Sequence, residues 1–327
     1  MKTYSMPFQV GWDITHKCNF RCKHCYFSSE QLSDPRSLPR LDALQFVDQL
    51  IRGKVFHLSI AGGEPLLYPH LIDVVRAASQ GGITVSISTN ASLITTEMAA
   101  ALREAGAKSL QISLDGHCKE INDQIRGRGA FDRTLSGLSN AKSADIQVLL
   151  AIVLVRQNLD HILRYLEFSQ SLGVSGVKVQ TLLKSGLGEQ NYTDLVPSTQ
   201  SLTQVFQELW VRKNNREFPF NLILPSIGTY TKGAGCIGCK PGISTIRVNA
   251  TGDVRACGSD VNAESIGNIS TVPLAKIWQD SAELIRIRNF ELVSSGESST
   301  ACGTSCGSVC KSRSNLALSG TIPQGDN

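Results

Sequence analysis

Cys18, Cys22 and Cys25 lie in the run THKCNFRCKHCYF, with three residues and then two between them. Three thiolates from one tight loop can ligate three irons of a cubic 4Fe–4S cluster and leave the fourth iron without a protein ligand. An iron with an open position can bind a small molecule and pass it an electron, whereas a fully ligated cluster mostly carries electrons. Zinc is the alternative reading, but structural zinc usually takes four protein ligands from paired loops. A second candidate is Ala61-Gly62-Gly63-Glu64-Pro65. Its two glycines let the backbone approach a ligand closely, and its carboxylate can receive an ammonium group.

Further polar groups fall at the ends of apolar runs. Ser88-Thr89-Asn90 ends one, and Ile112-Ser113-Leu114-Asp115-Gly116 ends another, followed by Asn122-Asp123 and Arg126-Gly127. Ser113 and Asp115 can hydrogen-bond a ribose or a substrate, and Arg126 can pair with a carboxylate. Asn90 and the Asp-Gly step also suit ordinary turns. Cys118 stands apart from the other cysteines, and lone cysteines are usually inert packing residues.

The spacing C-x3-C-x2-C, with the aromatic His24 just before the last cysteine, resembles the radical S-adenosylmethionine (SAM) superfamily. The resemblance implies that Cys18, Cys22 and Cys25 hold a 4Fe–4S cluster whose open iron chelates SAM. It further implies that reductive cleavage gives methionine and a 5′-deoxyadenosyl radical that abstracts a substrate hydrogen. The Gly62-Gly63-Glu64-Pro65 element is then expected to bind the SAM amino group. Asn90, Ser113, Asp115, Arg126 and His24 join it as candidate cofactor contacts. Family members often have Thr-Asn-Gly after the third strand; this chain has Ala91 in the glycine's place, so a different local turn is expected.

The stretch SLDG…NDQIRGRGAFDRT is similar to family members that carry a SPASM or "twitch" extension, and the last third of the chain fits. Cys239, Gly252-x4-Cys257, IGNIS, Ile277-Trp278 and Cys306-Gly-Ser-Val-Cys310 follow that extension's order. The resemblance implies an auxiliary 4Fe–4S cluster held by Cys236, Cys239, Cys257 and Cys310. The final run departs from the full pattern, being shortened to Cys302-x3-Cys306-x3-Cys310. The six cysteines of the last third cannot fill the eight positions of two clusters, so one auxiliary cluster is expected. Zinc remains open there, because paired cysteines suit it too.

These residues need a scaffold that collects them at one end. Apolar runs at Gln9–Thr15, Val55–Ala61, Ile83–Thr89, Ser109–Leu114, Ile146–Val155 and Val177–Leu182 read as strands. Amphipathic stretches at Arg40–Arg52, Pro69–Ser79, Thr95–Ala105, Phe131–Ser143, Leu159–Leu172 and Ser198–Lys213 read as helices. Alternation of this kind predicts an α/β fold: a partial (β/α)6 TIM-like barrel with its site at the C-terminal strand ends, plus a small cysteine-rich C-terminal extension. The rhythm breaks at Phe218-Pro219, which suggests domains at 1–215 and 216–327. One more helix is expected over Pro273–Asn289.

Composition narrows the rest. A chain of 327 residues, 41% hydrophobic and 18% charged, suits a globular protein. The net charge of +4 is modest and no basic run is interleaved with aromatics, so nucleic acid is not an expected partner. The first 17 residues lack a signal peptide's apolar stretch, and no run is long enough to span a membrane. A cytoplasmic location is expected, where the ten cysteines serve as ligands or free thiols rather than disulfides. The leading expectation is oxidative maturation, by cross-link or dehydrogenation, of a peptide or protein side chain, with electrons from a flavodoxin- or ferredoxin-type donor. With 17 residues before Cys18, leader recognition is expected to fall to a separate partner. The alternative is a dehydrogenase or epimerase of a small metabolite such as a sugar or aminocyclitol antibiotic precursor, in which Cys302, Cys306 or Cys118 returns a hydrogen atom. A non-catalytic iron–sulfur or zinc protein is a further alternative, disfavoured because a pure electron carrier needs neither an open iron nor a SAM pocket.

Overall fold

The computed structural model describes residues 4–225, 241–257 and 264–294, with side chains to residue 289. Six units alternate strand and helix. They run β1 (Gln9–Thr15), α1 (Ser29–Ser33), α2 (Arg40–Arg52), β2 (His57–Gly62), α3 (Leu71–Gln80), β3 (Thr84–Thr89), α4 (Thr96–Ala105), β4 (Ala107–Ser113), α5 (Lys119–Arg126), α6 (Ala130–Ser143), β5 (Gln147–Leu154), α7 (Ile162–Ser171), β6 (Gly176–Thr181), α8 (Gly186–Gln190), α9 (Tyr192–Leu195) and α10 (Thr199–Asn214). Then come β7 (Asn221–Ile223), β8 (Thr245–Val248), β9 (Val254–Arg255), α11 (Leu274–Asp280) and α12 (Ala282–Ser294).

Among the described residues the strands form one sheet in the order β7-β6-β5-β4-β3-β2-β1-β8-β9, parallel except for β8 with β9. From β1 to β7 the strands follow chain order without reversal, so the sheet lacks the switch point of a doubly wound fold. Its outer face is apolar: Trp12, Ile14, Leu58, Ile60, Val85, Ile87, Leu110, Ile112, Val177 and Val179 pack in one core with Phe46, Leu50, Val75 and Leu102 of the helices. Trp12 meets Phe46 edge-on at 5.0 Å. The alternate residues on the other face are mostly polar, among them Asp13, Ser86, Ser88, Gln111, Lys178 and Arg247, with Leu149, Ala151 and Val153 of β5 apolar.

That polar face is curved. β6 and β8 stand six places apart in the sheet, which is roughly 29 Å if flat at 4.8 Å per strand. Yet the ammonium of Lys178 on β6, pushed down first by burial, also feels the guanidinium of Arg247 on β8. Bringing these two together requires the sheet to roll toward a barrel, as the expected fold demands.

Most expected elements lie within two residues of their place; β1 and α2 match residue for residue. The helix expected over Pro273–Asn289 is instead two, because Ser281 is extended (φ −62°, ψ 120°) and parts α11 from α12. The sheet also runs past residue 215, since β7 adds to β6 and β8 pairs in parallel with β1. The extension is therefore sewn into the barrel. Trp278 of α11 is buried and donates from Nε1 to Tyr4 O at 2.9 Å, and Gln49 Oε1 of α2 accepts from Leu274 N at 2.9 Å.

Candidate active site

The cysteine loop leaves the C-terminal end of β1 and is tied down at once. Gly63 N donates to Thr15 O and Glu64 N to Lys17 O, each at 2.8 Å. A Cβ on Gly62 would sit 2.2 Å from Thr15 O, and one on Gly63 would sit 2.3 Å from both His16 O and Lys17 O. Gly62 also has φ +135°. The two glycines thus admit the backbone of the cysteine loop itself; this is the close approach that the structure displays.

On its far side the loop is held by α5 and by the segment after β6. Lys23 N donates to Ile125 O at 2.9 Å, Gly188 N to Cys25 O at 2.8 Å and Leu187 N to Phe27 O at 3.0 Å. Asn191 Nδ2 reaches Lys23 O at 3.2 Å. Cys18, Cys22 and Cys25 are brought together, and Cys18 and Cys25 pack beside Phe27 and Leu32. Burial pushes the Cys18 thiol up to about 11 and Cys25 to about 12, and raises Cys22 as well. Such thiols are protonated on their own; ligation to a metal is what would ionise them. Among the described residues no three His, Cys, Asp or Glu side chains converge on one point as a single metal ion requires.

Glu64 was expected to offer its carboxylate to an ammonium group. In the structure that carboxylate is fully buried and already holds three donors: Thr89 Oγ1 at 2.6 Å, Asn90 N at 2.8 Å and Leu66 N at 3.2 Å. Burial raises its pKa, against the pull of these hydrogen bonds. Glu64 therefore braces the end of β2 against the end of β3. Pro65 is buried and starts a 3-10 turn, Pro65–Leu67.

Asn90 follows β3 and links back to the cysteine loop. Its Nδ2 donates to Asn19 Oδ1 at 2.9 Å, while Asn19 Nδ2 donates to Ser92 Oγ at 2.8 Å. Ala91 was expected to change the local turn. Its φ is +62°, in the left-handed region that ordinarily favours glycine. The tight fit persists on its other side, where a Cβ on Gly137 would lie 1.9 Å from Ala91 O.

Asp115 is the electrostatic centre of the α5 side. It is 0% exposed, with Oδ2 at 2.7 Å from Arg126 Nε and 3.0 Å from His24 Nε2. The Arg126 Nε–H does not point along its contact, so that attraction is Coulombic rather than a linear hydrogen bond. Oδ1 accepts from Val153 N at 2.8 Å, and the Asp115 backbone is held by Asn122 Oδ1 and Asn158 Nδ2 at 3.0 Å each. Burial alone would raise the carboxyl, but Arg126 and His24 outweigh it and hold Asp115 at about 2. Arg126 Nη1 donates in turn to Cys22 Sγ at 3.8 Å. His24 Nδ1 is buried with no partner among the described residues, a vacancy in hydrogen bonding that a non-protein group beside the loop would fill.

Ser113 ends β4 half-buried, on the same mouth. Cys118 begins α5 half-buried; its carbonyl accepts from Asn122 N, and no contact joins it to the three loop cysteines. Cys257 is buried just after β9, the strand that follows a turn in which Gly252 has φ +89°. Cys236, Cys239, Cys302, Cys306 and Cys310 lie outside the described residues. Sequence reasoning missed Asn19 and Asn158, and it missed the pair Asp13–Arg247. Arg247 Nε lies 3.0 Å from Asp13 Oδ2, and Tyr26 Oη donates to Asp13 Oδ1 at 3.5 Å. Their partners are distant in sequence, and no local pattern announces them.

Comparisons with known proteins give the family. Residues 12–169 match the radical SAM superfamily, and residues 239–308 match SPASM, an iron–sulfur cluster-binding domain. The chain is 33% identical over 287 residues to the mycofactocin maturase MftC of Mycolicibacterium smegmatis, covering 86% of this chain and 72% of that one. It is 28% identical over 302 residues to the AdoMet-dependent heme synthase of Methanosarcina barkeri, covering 87% and 86%. The crystal structure of Streptococcus suis SuiB bound to precursor peptide SuiA superposes with a TM-score of 0.75 at 19% identity, over 88% of this chain and 68% of that one. That last likeness is one of fold.

Proposed function

Because this chain belongs to the radical SAM superfamily and matches the SPASM domain, we propose that it carries out oxidative maturation, by cross-link or dehydrogenation, of a peptide or protein side chain. As a radical SAM enzyme it uses SAM and a 4Fe–4S cluster, and its SPASM region adds auxiliary iron–sulfur chemistry. When bound, these groups supply an electron and a 5′-deoxyadenosyl radical that takes a hydrogen from the substrate.

The protein's own residues do the placing. In this reading Cys18, Cys22 and Cys25 ligate the catalytic cluster, and the observation that carries it is the pinning of their loop on Gly62-Gly63-Glu64. Gly62, Gly63, Pro65, Asn90, Ser113 and His24 line the SAM side of the mouth. Glu64 shapes that wall from behind rather than touching the cofactor. Cys236, Cys239, Cys257 and Cys310 hold one auxiliary cluster, residues 1–215 form the barrel and 216–327 the auxiliary domain. A flavodoxin- or ferredoxin-type protein supplies the electron. No helix among the described residues is long and apolar enough to cross a membrane, and we place the enzyme in the cytoplasm. A peptide substrate is favoured by the 33% identity to a maturase. A small-metabolite substrate is the second reading, favoured by the relative named as a heme synthase.

The test is anaerobic reconstitution followed by assay for 5′-deoxyadenosine. Changing Cys18, Cys22 and Cys25 together to Ala removes all SAM cleavage while iron bound by the extension stays; residual 5′-deoxyadenosine would overturn the assignment. Cys257→Ala still cleaves SAM but gives little oxidised product. Wild-type product made in heavy water loses two hydrogens in this reading. A one-dalton gain at a stereocentre would instead establish an epimerase, with Cys118, Cys302 or Cys306 as the hydrogen donor to be sought.

A further inference from the structure

Of the three loop thiols, Cys22 is the one whose sulfur accepts from a cationic side chain, Arg126 Nη1 at 3.8 Å. That guanidinium is not free to turn. Its side chain is 8% exposed, and its Nε lies 2.7 Å from a carboxylate that is 0% exposed. The carboxylate of Asp115 is itself pinned by Val153 N at 2.8 Å and faced by His24 Nε2 at 3.0 Å. Asp115 meets the guanidinium at Nε and Cys22 meets it at Nη1, so the pair presents its positive side to the sulfur.

We propose that Arg126 raises the reduction potential of the cluster that Cys22 ligates, and that Asp115 is the residue that positions it to do so. The inference rests on the ligand assignment proposed above. Reduction adds one electron, delivered by an external low-potential one-electron donor, and part of the new charge lands on the ligating sulfurs. A fixed cation and an N–H directed at one sulfur favour the reduced form over the oxidised one, and burial strengthens both effects. The Asp115 charge acts in the opposite sense. A residue with a merely structural role would not produce two shifts of opposite sign.

The full chain is reconstituted anaerobically without SAM and titrated with a mediated reductant, with the reduced loop cluster followed by electron paramagnetic resonance. Its signal is the one absent from the triple Cys18, Cys22, Cys25→Ala variant; if that variant keeps every signal, the ligand assignment fails rather than this inference. Arg126→Gln lowers the midpoint by about tenfold in the reduction equilibrium, ~59 mV for a one-electron couple. Arg126→Lys, which keeps a charge but not the fork, lowers it less. Asp115→Asn keeps an oxygen for Nε and moves the midpoint upward. If Arg126→Gln loses the cluster, Arg126→Lys decides, and an unchanged midpoint in that variant overturns the proposal. An unchanged midpoint in Arg126→Gln with full iron content, or a downward shift in Asp115→Asn, overturns the proposal.

Discussion

Asp115–Arg126 and Asp13–Arg247 are both carboxylate–guanidinium pairs at the barrel mouth, and both bear on the cysteine loop from opposite sides. The first is sealed: Asp115 is 0% exposed, Arg126 is 8% exposed, and the guanidinium touches Cys22 directly. The second is more open, with Arg247 23% exposed, and it reaches the loop through Tyr26, the neighbour of Cys25. Their origins differ too. Arg126 lies on the helix just after Asp115, whereas Arg247 arrives on β8, from beyond residue 215. The C-terminal region therefore does more than carry further cysteines. It supplies one wall of the mouth, and Gly11 is needed there because a Cβ would meet the Arg247 side chain at 2.7 Å.

Breaking each pair from its cationic side should separate the two most widely. Arg126→Met strands a fully buried carboxylate and is expected to destabilise the protein by about 3–5 kcal/mol. Arg247→Met leaves Asp13 nearer to solvent and should cost less, about 1–2 kcal/mol after allowance for screening. Chemical denaturation of the metal-free chain measures both. Equal losses would mean that the Arg247 pair is as sealed as the other.

Glu64 sharpens the contrast, because it is a buried carboxylate held by hydrogen bonds, with Arg126 acting on it only as the weakest of the influences on its charge. Glu64→Ala leaves Thr89 Oγ1, Asn90 N and Leu66 N without their acceptor and should cost about 2–3 kcal/mol. SAM affinity should fall alongside it, through displacement of the wall. A fall in SAM affinity with an unchanged melting temperature would restore the direct contact expected from the motif.

The same two acids should respond oppositely to pH. Asp115 sits at about 2 when folded, below its ordinary 3.8, so its contribution is fully present above pH ~4 and is lost as the pH falls through 2. At 1.36 kcal/mol per unit this is ~2 kcal/mol. Glu64 is raised, so it favours the fold under acid and loses that contribution as the pH rises through its folded value. Asp115→Asn should therefore flatten the acid limb of a stability–pH curve that Glu64→Gln leaves steep. An unchanged limb in Asp115→Asn would show that its charge is not held by Arg126 and His24.

How much of this was legible in the sequence follows from range. The strands β1 to β6 could be read because each carries its apolar residues within one short segment, and α2 because Ala43, Phe46, Val47 and Leu50 recur at helical spacing. Helix α5 escaped notice because Lys-Glu-Ile-Asn-Asp-Gln-Ile-Arg is mostly polar, and its buried Asn122 and Arg126 face a site rather than a core. Strand β8 is four residues long and finds its partner β1 more than two hundred residues upstream, so no window contains the pairing. The loop cysteines could be named from spacing alone. What holds them could not, because Gly188, Asn191 and Arg126 are brought in by the fold.

Ala91 gives the smallest expected effect and tests whether the turn after β3 is strained. A non-glycine residue in the left-handed region costs about 1–2 kcal/mol, and Ala91 has φ +62°. Ala91→Gly would remove that cost. It would also remove a fully buried methyl, worth about 0.8 kcal/mol, and add about 0.5–1 kcal/mol of unfolded-chain entropy. The terms nearly cancel, so stability should change by less than about 1 kcal/mol, and Asn90 should keep its contact with Asn19. Gly137→Ala provides the control, because its new methyl would lie 1.9 Å from Ala91 O and must push the turn aside. If Ala91→Gly loses more than Gly137→Ala, the methyl of Ala91 is an anchor in its own right and the departure from Thr-Asn-Gly is a packing requirement of this chain.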